Sequence, residues 1–348
     1  MIFYENFMYY FCNLILKLMI PKKIVASITI LLLFISCTKE NKAQDFILKG
    51  HVFGTTYKIV YLNASQNYQK SIDSLFYLMN KSLSTYIPTS DISRINKGDS
   101  TVFVDDLFLE VFKKSKRIHK ETDGYFDPTV GNLVNAWGFG PNREKRDLTS
   151  EQVNEQMQFV GLNKVEVVNK KVNKQNSKIY LDFNSIAKGF GIDVVARFLS
   201  SKKIESYLVE IGGEIRTKGT KENNAPWVIK LVDPINKDEL KGYKKINLSN
   251  KSMATSGNYR KFRLTKKGEK FVHTINPKTG YAKESNLLSA SVIASLDCAD
   301  VDAYATAFMA MGLNKAKAFL KSHKNIDAIL LFVDKKGSLK EYKTITYK

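Results

Sequence analysis

Cysteine and histidine are scarce in this chain of 348 residues, which has three of the first and four of the second. It has no Cys-x-x-Cys pair and no closely spaced histidines, so it offers no zinc site of the usual kind. The Gly-x-x-x-x-Gly-Lys-Ser/Thr spacing of a P-loop is also absent. These absences argue against a disulfide-framed scaffold, a zinc protein and a P-loop nucleotidase.

Acidic residues are outnumbered, with 34 Asp and Glu against 54 Lys and Arg, which gives a formal net charge of +20. An excess of positive charge favours anionic partners such as nucleotides, phosphates or a lipid surface. The lysines are spread along the chain, without an arginine-rich tail or an aromatic RNA-binding strand. We therefore expect no nucleic-acid partner.

The N-terminal apolar run, IVASITILLLFIS at residues 24–36, is too short for a comfortable membrane span, which needs about 20 residues. It follows Pro21-Lys22-Lys23 and precedes Cys37, which is the pattern of a signal peptide. The stretch LFISC resembles a bacterial lipobox, and this resemblance implies cleavage before Cys37 and lipid attachment to it. The alternative is an uncleaved anchor helix. We expect an exported lipoprotein, attached to a cell membrane and facing the periplasm.

The chain divides into three parts by composition. Residues 1–36 read as a signal peptide, and because Met19 heads a more typical one than Met1, we expect residues 1–18 to be an extension outside the natural product. Residues 37–45 read as the lipidated cysteine and a polar tether. The rest, 46–348, contains no Gly/Ser-rich linker, low-complexity segment or repeat, which indicates a single body.

The fold class predicted for this body is α+β, with mixed, largely antiparallel sheets layered with helices. Strands and helices alternate irregularly and several hairpins are indicated, which argues against a doubly wound parallel sheet. Residues 165–171 and 178–183 read as the two strands of one hairpin. Residues 185–200 read as a helix capped by Asn184 or Ser185.

Two side chains on a predicted helix near the C-terminus have the spacing of a metal site. Asp302 and Thr306 are four residues apart, so their oxygens lie on one helical face, one turn from each other. Hard oxygen ligands of this kind suit Mg²⁺. The alternative is a capping or surface pair.

The stretch LDFNSIAKGFGID at 181–193 joins a strand to a helix. Lys188 lies early in the helix, where a cation and backbone N–H groups can bind a phosphate. The alternative is a capped helix that packs tightly through its glycines. His273 precedes a Pro-Lys-Thr-Gly turn; a lone histidine is usually structural, but this one lies beside turn chemistry.

A long loop-like stretch, TDGYFDPTVGNLVNAWGFGP at 122–141, is rich in glycine and aromatic residues and shows neither helical nor strand alternation. A loop that wraps a flat, anionic, hydrogen-bonding ligand has this composition.

Taken together, these stretches resemble the ApbE-type flavin transferases, the FAD:protein FMN transferases, over about residues 50–348. The resemblance depends on separated motifs in family order: GTTY at 54–57, LSTYIPTSDISRIN at 83–96, TDGYFDPTVGNLVNAWGFGP, LDFNSIAKGFGID, YLVEIGGEIRTKG at 207–219, ATSGNYR at 254–260, HTINPKTG at 273–280 and DAYATAFMAMG at 302–312. It implies an ApbE-like flavin transferase fold in which the 122–141 loop helps to enclose FAD.

The resemblance also implies roles for individual residues. The residues that would contact or hold FAD are Phe53, Tyr86, Tyr125, Phe126, Asp127, Asp182, Lys188 and Ile275. Mg²⁺ would be bound by the side chains of Asp302 and Thr306, with Ser185 contributing its backbone carbonyl.

The chain departs from the family pattern at three places. Phe53 stands where the family often has methionine, Asn132 where proline is common, and Val301 where alanine is common. None of these departures removes a charge or a ligand.

The implied activity is Mg²⁺-dependent transfer of FMN from FAD to a threonine hydroxyl of a partner flavoprotein, with release of AMP. The acceptors would be flavoproteins of a membrane redox complex. His273 is our candidate for the base that takes the hydroxyl proton, and a carboxylate of the metal site is the alternative. Two other functions remain open: an Mg²⁺-dependent FAD pyrophosphatase, and a non-enzymatic FAD-carrying lipoprotein.

The lipid anchor makes a prediction about cell fractions. Cys37→Ser removes the thiol to which a lipid would attach, so the variant should leave the membrane fraction while its domain still binds FAD. Immunoblots of the fractions measure this. Unchanged membrane retention would instead favour the uncleaved helix.

Overall fold

The computed structural model describes residues 43–141, 147–231, 244–258, 262–264, 270–282 and 285–344. The predicted signal peptide and Cys37 lie outside the described residues. Within the described ranges, no helix is both long enough and apolar enough to cross a membrane.

Fourteen strands and eight α-helices are described. The strands are β1 Gln44–Val52, β2 Thr55–Ala64, β3 Val165–Val168, β4 Lys171–Lys174, β5 Tyr207–Ile211, β6 Glu214–Lys218, β7 Trp227–Leu231, β8 Lys244–Leu248, β9 Ser252–Gly257, β10 Phe262–Leu264, β11 Lys270–Val272, β12 Leu287–Ala294, β13 Asp327–Val333 and β14 Leu339–Lys343. The helices are α1 Gln69–Leu83, α2 Asp91–Asn96, α3 Asp106–Glu121, α4 Gly131–Ala136, α5 Ser150–Met157, α6 Ala187–Ser201, α7 Cys298–Met311 and α8 Leu313–Ser322.

One eight-stranded sheet organises the described part of the chain, in the order β1-β2-β5-β6-β9-β12-β13-β14. Every neighbouring pair in it is antiparallel. Three further antiparallel pairs form from β3 and β4, β7 and β8, and β10 and β11. The α+β prediction, with largely antiparallel sheets, is therefore confirmed.

Helix α7 is the central helix, and its sequence CADVDAYATAFMAM explains why. Alanine, methionine and aromatic side chains occur all round it, and almost all of its residues are buried. A helix that is apolar on every face has to be enclosed by other elements. It packs against β9, β12 and helices α3, α6 and α8, so its two carboxylates, Asp300 and Asp302, are buried as well.

Helices α6 and α7 approach each other more closely than a side chain would allow. A Cβ built at Gly189 would lie 2.8 Å from the Cα of Ala299 and 2.6 Å from the carbonyl carbon of Cys298. Both contacts are with backbone, which cannot rotate away. Gly189 therefore fixes the distance between the two helices.

Two local predictions are wrong. Strand 165–171 does not pair with 178–183. Instead β3 turns back at once into β4, because Asn169 and Lys170 both take positive φ, as a two-residue hairpin turn requires.

Helix α6 begins at Ala187, and its N-cap residue Ile186 makes no side-chain capping bond. Neither Asn184 nor Ser185 is the cap; the Asp302 carboxylate of α7 accepts from the backbone N–H of Gly189 instead, at 3.1 Å.

The close helix contact predicts a specific stability difference. Gly189→Ala should destabilise the fold by about 2–3 kcal/mol, because its methyl group meets rigid backbone. That corresponds to a fall in Tm of about 3–5 °C for a domain of this size.

The matched control for thermal unfolding is Gly191→Ala, two residues along the same helix. Its Cβ would meet the end of the Phe53 ring, at 2.6 Å, and a ring can turn away. Alanine also favours a helix by up to about 1 kcal/mol over glycine, so this variant should change stability by less than about 1 kcal/mol. Equal losses in the two variants would contradict the assigned contact.

Candidate active site

Two hairpin turns and the start of α6 meet at one end of the large sheet. The β1–β2 turn places Phe53 and Gly54 at positive φ, and the Phe53 ring contacts Gly191 of α6. The β5–β6 turn lies beside it, since the N–H of Gly212 donates to the carbonyl of Thr56 at 3.0 Å. The predicted FAD contact Phe53 is thus held against the helix that carries Lys188.

A buried charge cluster lies at this point. The ammonium of Lys188 forms an ion pair of 2.6 Å with Glu214, the first residue of β6. Asp302 lies close enough for its charge to act on both groups. Glu214 and Asp302 are each about 3% exposed, whereas the Lys188 side chain is 31% exposed, so two buried carboxylates share one partly exposed cation.

Burial and the close approach of these charged groups shift the pKa values of Asp302 and Lys188. Burial, reinforced by the charge of Glu214, raises the pKa of Asp302 to about 8, although Lys188 and the Gly189 N–H lower it. Burial alone would lower the pKa of Lys188, but the charges of Glu214 and Asp302 raise it. The cluster therefore has two acidic groups for one lysine, and ionising both would leave an excess of negative charge, which together with burial is why the pKa of Asp302 is raised.

The proposed metal ligands lie around the same cluster. Thr306, one helical turn beyond Asp302, has its hydroxyl 3.2 Å from the hydroxyl of Ser256 on β9. Ser185 belongs to the half-buried turn that leads into α6, and the Asp302 carboxylate reaches that helix start through Gly189. The structure thus joins the helix carrying Asp302 and Thr306 to the turn carrying Ser185.

These donors fit Mg²⁺. They are all oxygens, and a divalent cation would offset the excess of negative charge around Asp302. Across the described ranges, no group of three or more His, Cys, Asp or Glu side chains is placed to hold a metal. A cation here would therefore also use hydroxyl, carbonyl, water or substrate oxygens, which is the usual habit of Mg²⁺.

A second group of predicted residues surrounds Asp182. Its carboxylate is buried and accepts from the N–H of Asn184 at 2.8 Å, and burial raises its pKa. Tyr86 is 56% exposed and lies near Tyr180, the residue two before Asp182. The structure therefore brings Tyr86 and Asp182 to one place, around the ring of Tyr180.

Tyr180 was missed by sequence reasoning. Its hydroxyl shares hydrogen bonds with Asn135 and Asn96, and its carbonyl oxygen would lie 3.0 Å from a Cβ at Gly131. The stretch 122–141 therefore folds over Tyr180 and Asp182, although it is not a loop throughout, since Gly131–Ala136 form helix α4. Only its position before the LDF stretch could have drawn attention to it.

The tip of the loop is held in place by hydrogen bonds to Asp127 and by the packing of Phe126. The Asp127 carboxylate accepts from the N–H and hydroxyl of Thr129, at 2.8 and 2.6 Å, and from the N–H of Leu162 at 3.1 Å. Phe126 is 1% exposed and packs in the main core. These two side chains shape the loop, and their contact with FAD stays a prediction.

Tyr125 faces outward from the same tip. Its hydroxyl accepts from Lys315 at the start of α8, and the ammonium of Lys278 lies 5.8 Å from the centre of its ring. Of the three tip residues, Tyr125 is therefore the one with a cationic, partly open surrounding.

The HTINPKTG stretch is connected to the end of β9 by a side-chain hydrogen bond. The hydroxyl of Thr274 donates to the side chain of Asn258 at 3.0 Å, and Asn258 directly follows β9, which carries Ser256. His273 is half-buried at the end of β11. Ile275 is buried in a small apolar cluster around Trp137, so its side chain packs and only its backbone could face a ligand.

Glu214, Asp193 and Arg216 were also missed. Asp193 interrupts the apolar run GFGIDVVA of α6. Glu214 and Arg216 are two residues apart on β6. A carboxylate inside an apolar helix face is the signal that could have shown a buried charge in need of partners.

The chain is similar to known flavin transferases over most of its length. The family model described as "ApbE family" matches residues 53–330. An FAD:protein FMN transferase of Haemophilus influenzae is 35% identical over 312 residues, which cover 85% of this chain and 89% of the relative. One of Vibrio cholerae is 35% identical over 326 residues, covering 91% and 96%.

The chain is also similar to solved structures of flavin transferases. The flavin transferase ApbE of Vibrio cholerae superposes with a TM-score of 0.74 at 33% identity, over 86% of this chain and 97% of that one. The flavinyl transferase ApbE of Pseudomonas stutzeri gives 0.78 at 28% identity, over 87% and 95%. The chain belongs to the ApbE family.

Proposed function

We propose that this protein transfers the FMN moiety of FAD to a threonine hydroxyl of a partner flavoprotein, in a Mg²⁺-dependent reaction that gives phosphoester-linked FMN and AMP. The coarser activity, FAD:protein FMN transfer, is that of the curated relatives and of the family to which the chain belongs. The observation that carries the proposal is the cluster of Lys188, the buried Asp302 and Thr306 where α6 and α7 meet.

The bond changes define what the site has to do. The threonine oxygen forms a bond to the FMN-side phosphorus, the bond from that phosphorus to the bridging oxygen breaks, and AMP leaves with the electron pair. The threonine proton passes to a base, for which His273 is the candidate. Negative charge develops on the phosphoryl oxygens and on the leaving group.

Each residue of the cluster has a role in this scheme. Lys188 binds and orients the pyrophosphate through its charge. Glu214 holds the Lys188 ammonium in place by their ion pair. Asp302, Thr306 and the Ser185 carbonyl would hold Mg²⁺, which when bound supplies positive charge against the phosphoryl oxygens.

Around this centre, other predicted residues would position the flavin nucleotide. Phe53 offers an aromatic surface at the β1–β2 turn, and Tyr86 with Asp182 offers a mixed aromatic and polar one. The loop 122–141, folded over Asp182, would exclude water from the FAD that it covers.

One assay separates this function from its alternatives. The protein is incubated with FAD, Mg²⁺ and a purified acceptor flavoprotein, and the products are analysed by in-gel fluorescence, mass spectrometry and nucleotide chromatography. We expect covalently fluorescent acceptor with one AMP released per FMN attached. Free FMN and AMP with unmodified acceptor would indicate a pyrophosphatase, and intact FAD would indicate a carrier; either result would refute the proposal.

The metal site predicts unequal effects for its two side-chain ligands. Asp302 contributes a charge and Thr306 a neutral hydroxyl, so removing Asp302 should weaken Mg²⁺ binding more. We expect Asp302→Ala, and its isosteric form Asp302→Asn, nearly to abolish transfer. Thr306→Ala should recover activity as Mg²⁺ is raised. A transfer assay over a Mg²⁺ series measures both.

FAD binding provides the control for this comparison. It should suffer less than catalysis in the Asp302 variants, since Lys188 still meets the pyrophosphate while the transition-state charge loses its metal. Isothermal titration with FAD tests this. Normal transfer by Asp302→Ala at low Mg²⁺ would show that the ligand set is wrong and that α7 is only structural.

The proposed base predicts a kinetic defect without a binding defect. His273→Ala should slow transfer by about 10²–10⁴-fold, the usual contribution of general-base catalysis, and leave FAD affinity unchanged. The matched control is His323→Ala, at the end of α8, where the ring stacks on Phe319. Wild-type rates in His273→Ala would clear His273 and favour a carboxylate as the base.

We also propose that the domain works outside the cytoplasm, anchored by a lipid on Cys37, and that its acceptors belong to a membrane redox complex. The support is the lipobox-like sequence. Fractionation of Cys37→Ser tests the anchor.

A further inference from the structure

Helix α7 is capped by a residue of another helix. The Asp193 carboxylate of α6 accepts from the N–H groups of Cys298 and Ala299, both at 2.8 Å. Asp297, which occupies the N-cap position of α7, makes no side-chain capping bond. The two N–H groups that open α7 therefore depend on Asp193, which is fully buried.

The reverse bond ties the helices a second time. Asp302 of α7 accepts from the N–H of Gly189 in the first turn of α6. Gly189 and Asp193 are one turn apart on α6, and Cys298 and Asp302 are one turn apart on α7. Each helix thus sends one carboxylate to the backbone of the other, and the two contacts lie about 6 Å apart along the helix axes.

An ionic layer holds this arrangement from outside. Arg216 of β6 pairs with Asp193 and, at 2.7 Å, with Asp297. Lys114 of α3 pairs with Asp297 at 2.7 Å and with Asp300 at 3.1 Å. The start of α7 is therefore fixed by a sheet and by two helices.

We propose that Asp193 is a positioning residue of the FMN transfer reaction, which sets the axial position and rotation of α7 so that Asp302 and Thr306 present their oxygens to the metal. The inference rests on the metal site of the proposed function. Asp193 is not one of the proposed ligands of the metal or of FAD, and it acts through the backbone of Cys298 and Ala299.

The geometry explains why the role is specific to a carboxylate. An amide has one acceptor oxygen, and its NH₂ group would face a backbone N–H donor. Asp193→Asn therefore leaves one of the two N–H groups of α7 without an acceptor. The first turn shifts or frays, and Asp302, one turn further on, loses its alignment with the start of α6.

The experiment measures metal binding directly, with Mn²⁺ as the probe and electron paramagnetic resonance as the readout, on the full chain without FAD. Outer partners of metal ligands typically contribute about 10–100-fold to affinity. We expect Asp193→Asn to raise the Mn²⁺ dissociation constant by about tenfold or more. In turnover, kcat should fall and return at high Mg²⁺, while the dissociation constant of FAD stays within about twofold of wild type.

A stability-matched control separates positioning from general loosening. Ile329 on β13 is buried in the apolar cluster on the other face of the sheet from α7. Ile329→Ala should lower Tm yet leave the Mn²⁺ dissociation constant unchanged. If it weakens Mn²⁺ binding as much as Asp193→Asn does, the positioning role is refuted.

A second pair of variants covers the case in which Asp193→Asn does not fold. Arg216→Gln keeps the two capping bonds but removes the cation beside Asp193, so it should weaken Mn²⁺ binding by a smaller factor. Arg216→Lys keeps the charge and should restore most of the affinity. Equal affinities in wild type and Arg216→Gln would count against the inference.

The outcomes also separate this inference from the proposed function. If wild type binds Mn²⁺, Asp302→Ala abolishes that binding, and Asp193→Asn binds as wild type does, the metal site stands and only the positioning role falls. If wild type binds no Mn²⁺ and transfers no FMN, both fall.

Discussion

The site depends on two buried carboxylates that cross between α6 and α7. Asp193 holds the start of α7, and Asp302 holds the start of α6. Neither bond forms unless the helices are in near contact, and that contact is possible only because residue 189 lacks a side chain. The missing side chain of Gly189 is thus what allows the Asp302 carboxylate to reach the start of α6.

Buried charges are costly, and this site keeps several of them. Burial raises the pKa of Asp193 to about 6 although Arg216 lies beside it, and that of Asp302 to about 8. Arg216 shows the opposite tendency: burial alone would lower its pKa, but Asp193 and Asp297 raise it. For Asp193 and Arg216, the dominant cost is the removal of the carboxylate from water. The two N–H groups that donate to this carboxylate stabilise it in its buried position. Around Asp302 the corresponding partner would be a divalent cation.

The sequence was sufficient for the fold class, because the irregular alternation of strands and helices follows apolar periodicity and turn residues. It failed at the β3–β4 hairpin, where Asn169 and Lys170 supply a tight turn without a glycine to mark it. It also failed at the cap of α6, since the capping group comes from Asp302, more than a hundred residues away. Local rules for helix caps cannot find an acceptor that tertiary packing brings in.

The site was predicted unevenly for a related reason. Asp302, Thr306 and Lys188 could be named from a motif because they lie in stretches with recognisable spacing. Glu214, Arg216 and Asp193 could not, since their importance comes from neighbours on other elements. What the sequence did contain was an anomaly, a carboxylate within the apolar face of α6, and a buried charge always implies a partner.

The two aspartates of the predicted FAD site differ in how many of their hydrogen-bond acceptor positions are already used. A carboxylate has about four acceptor positions. Asp127 uses three of them within its own surroundings, on Thr129 and Leu162, and lies 3.4 Å from His119. The described hydrogen bonds to the Asp182 carboxylate come from Asn184 alone. Asp182 therefore retains the capacity to bind a hydrogen-bond donor of FAD, such as an amine, imide or hydroxyl, whereas Asp127 is largely committed to the loop. The family motif marks both residues alike, and only their hydrogen-bond partners distinguish the carboxylate that keeps acceptor capacity from the one that holds the loop together.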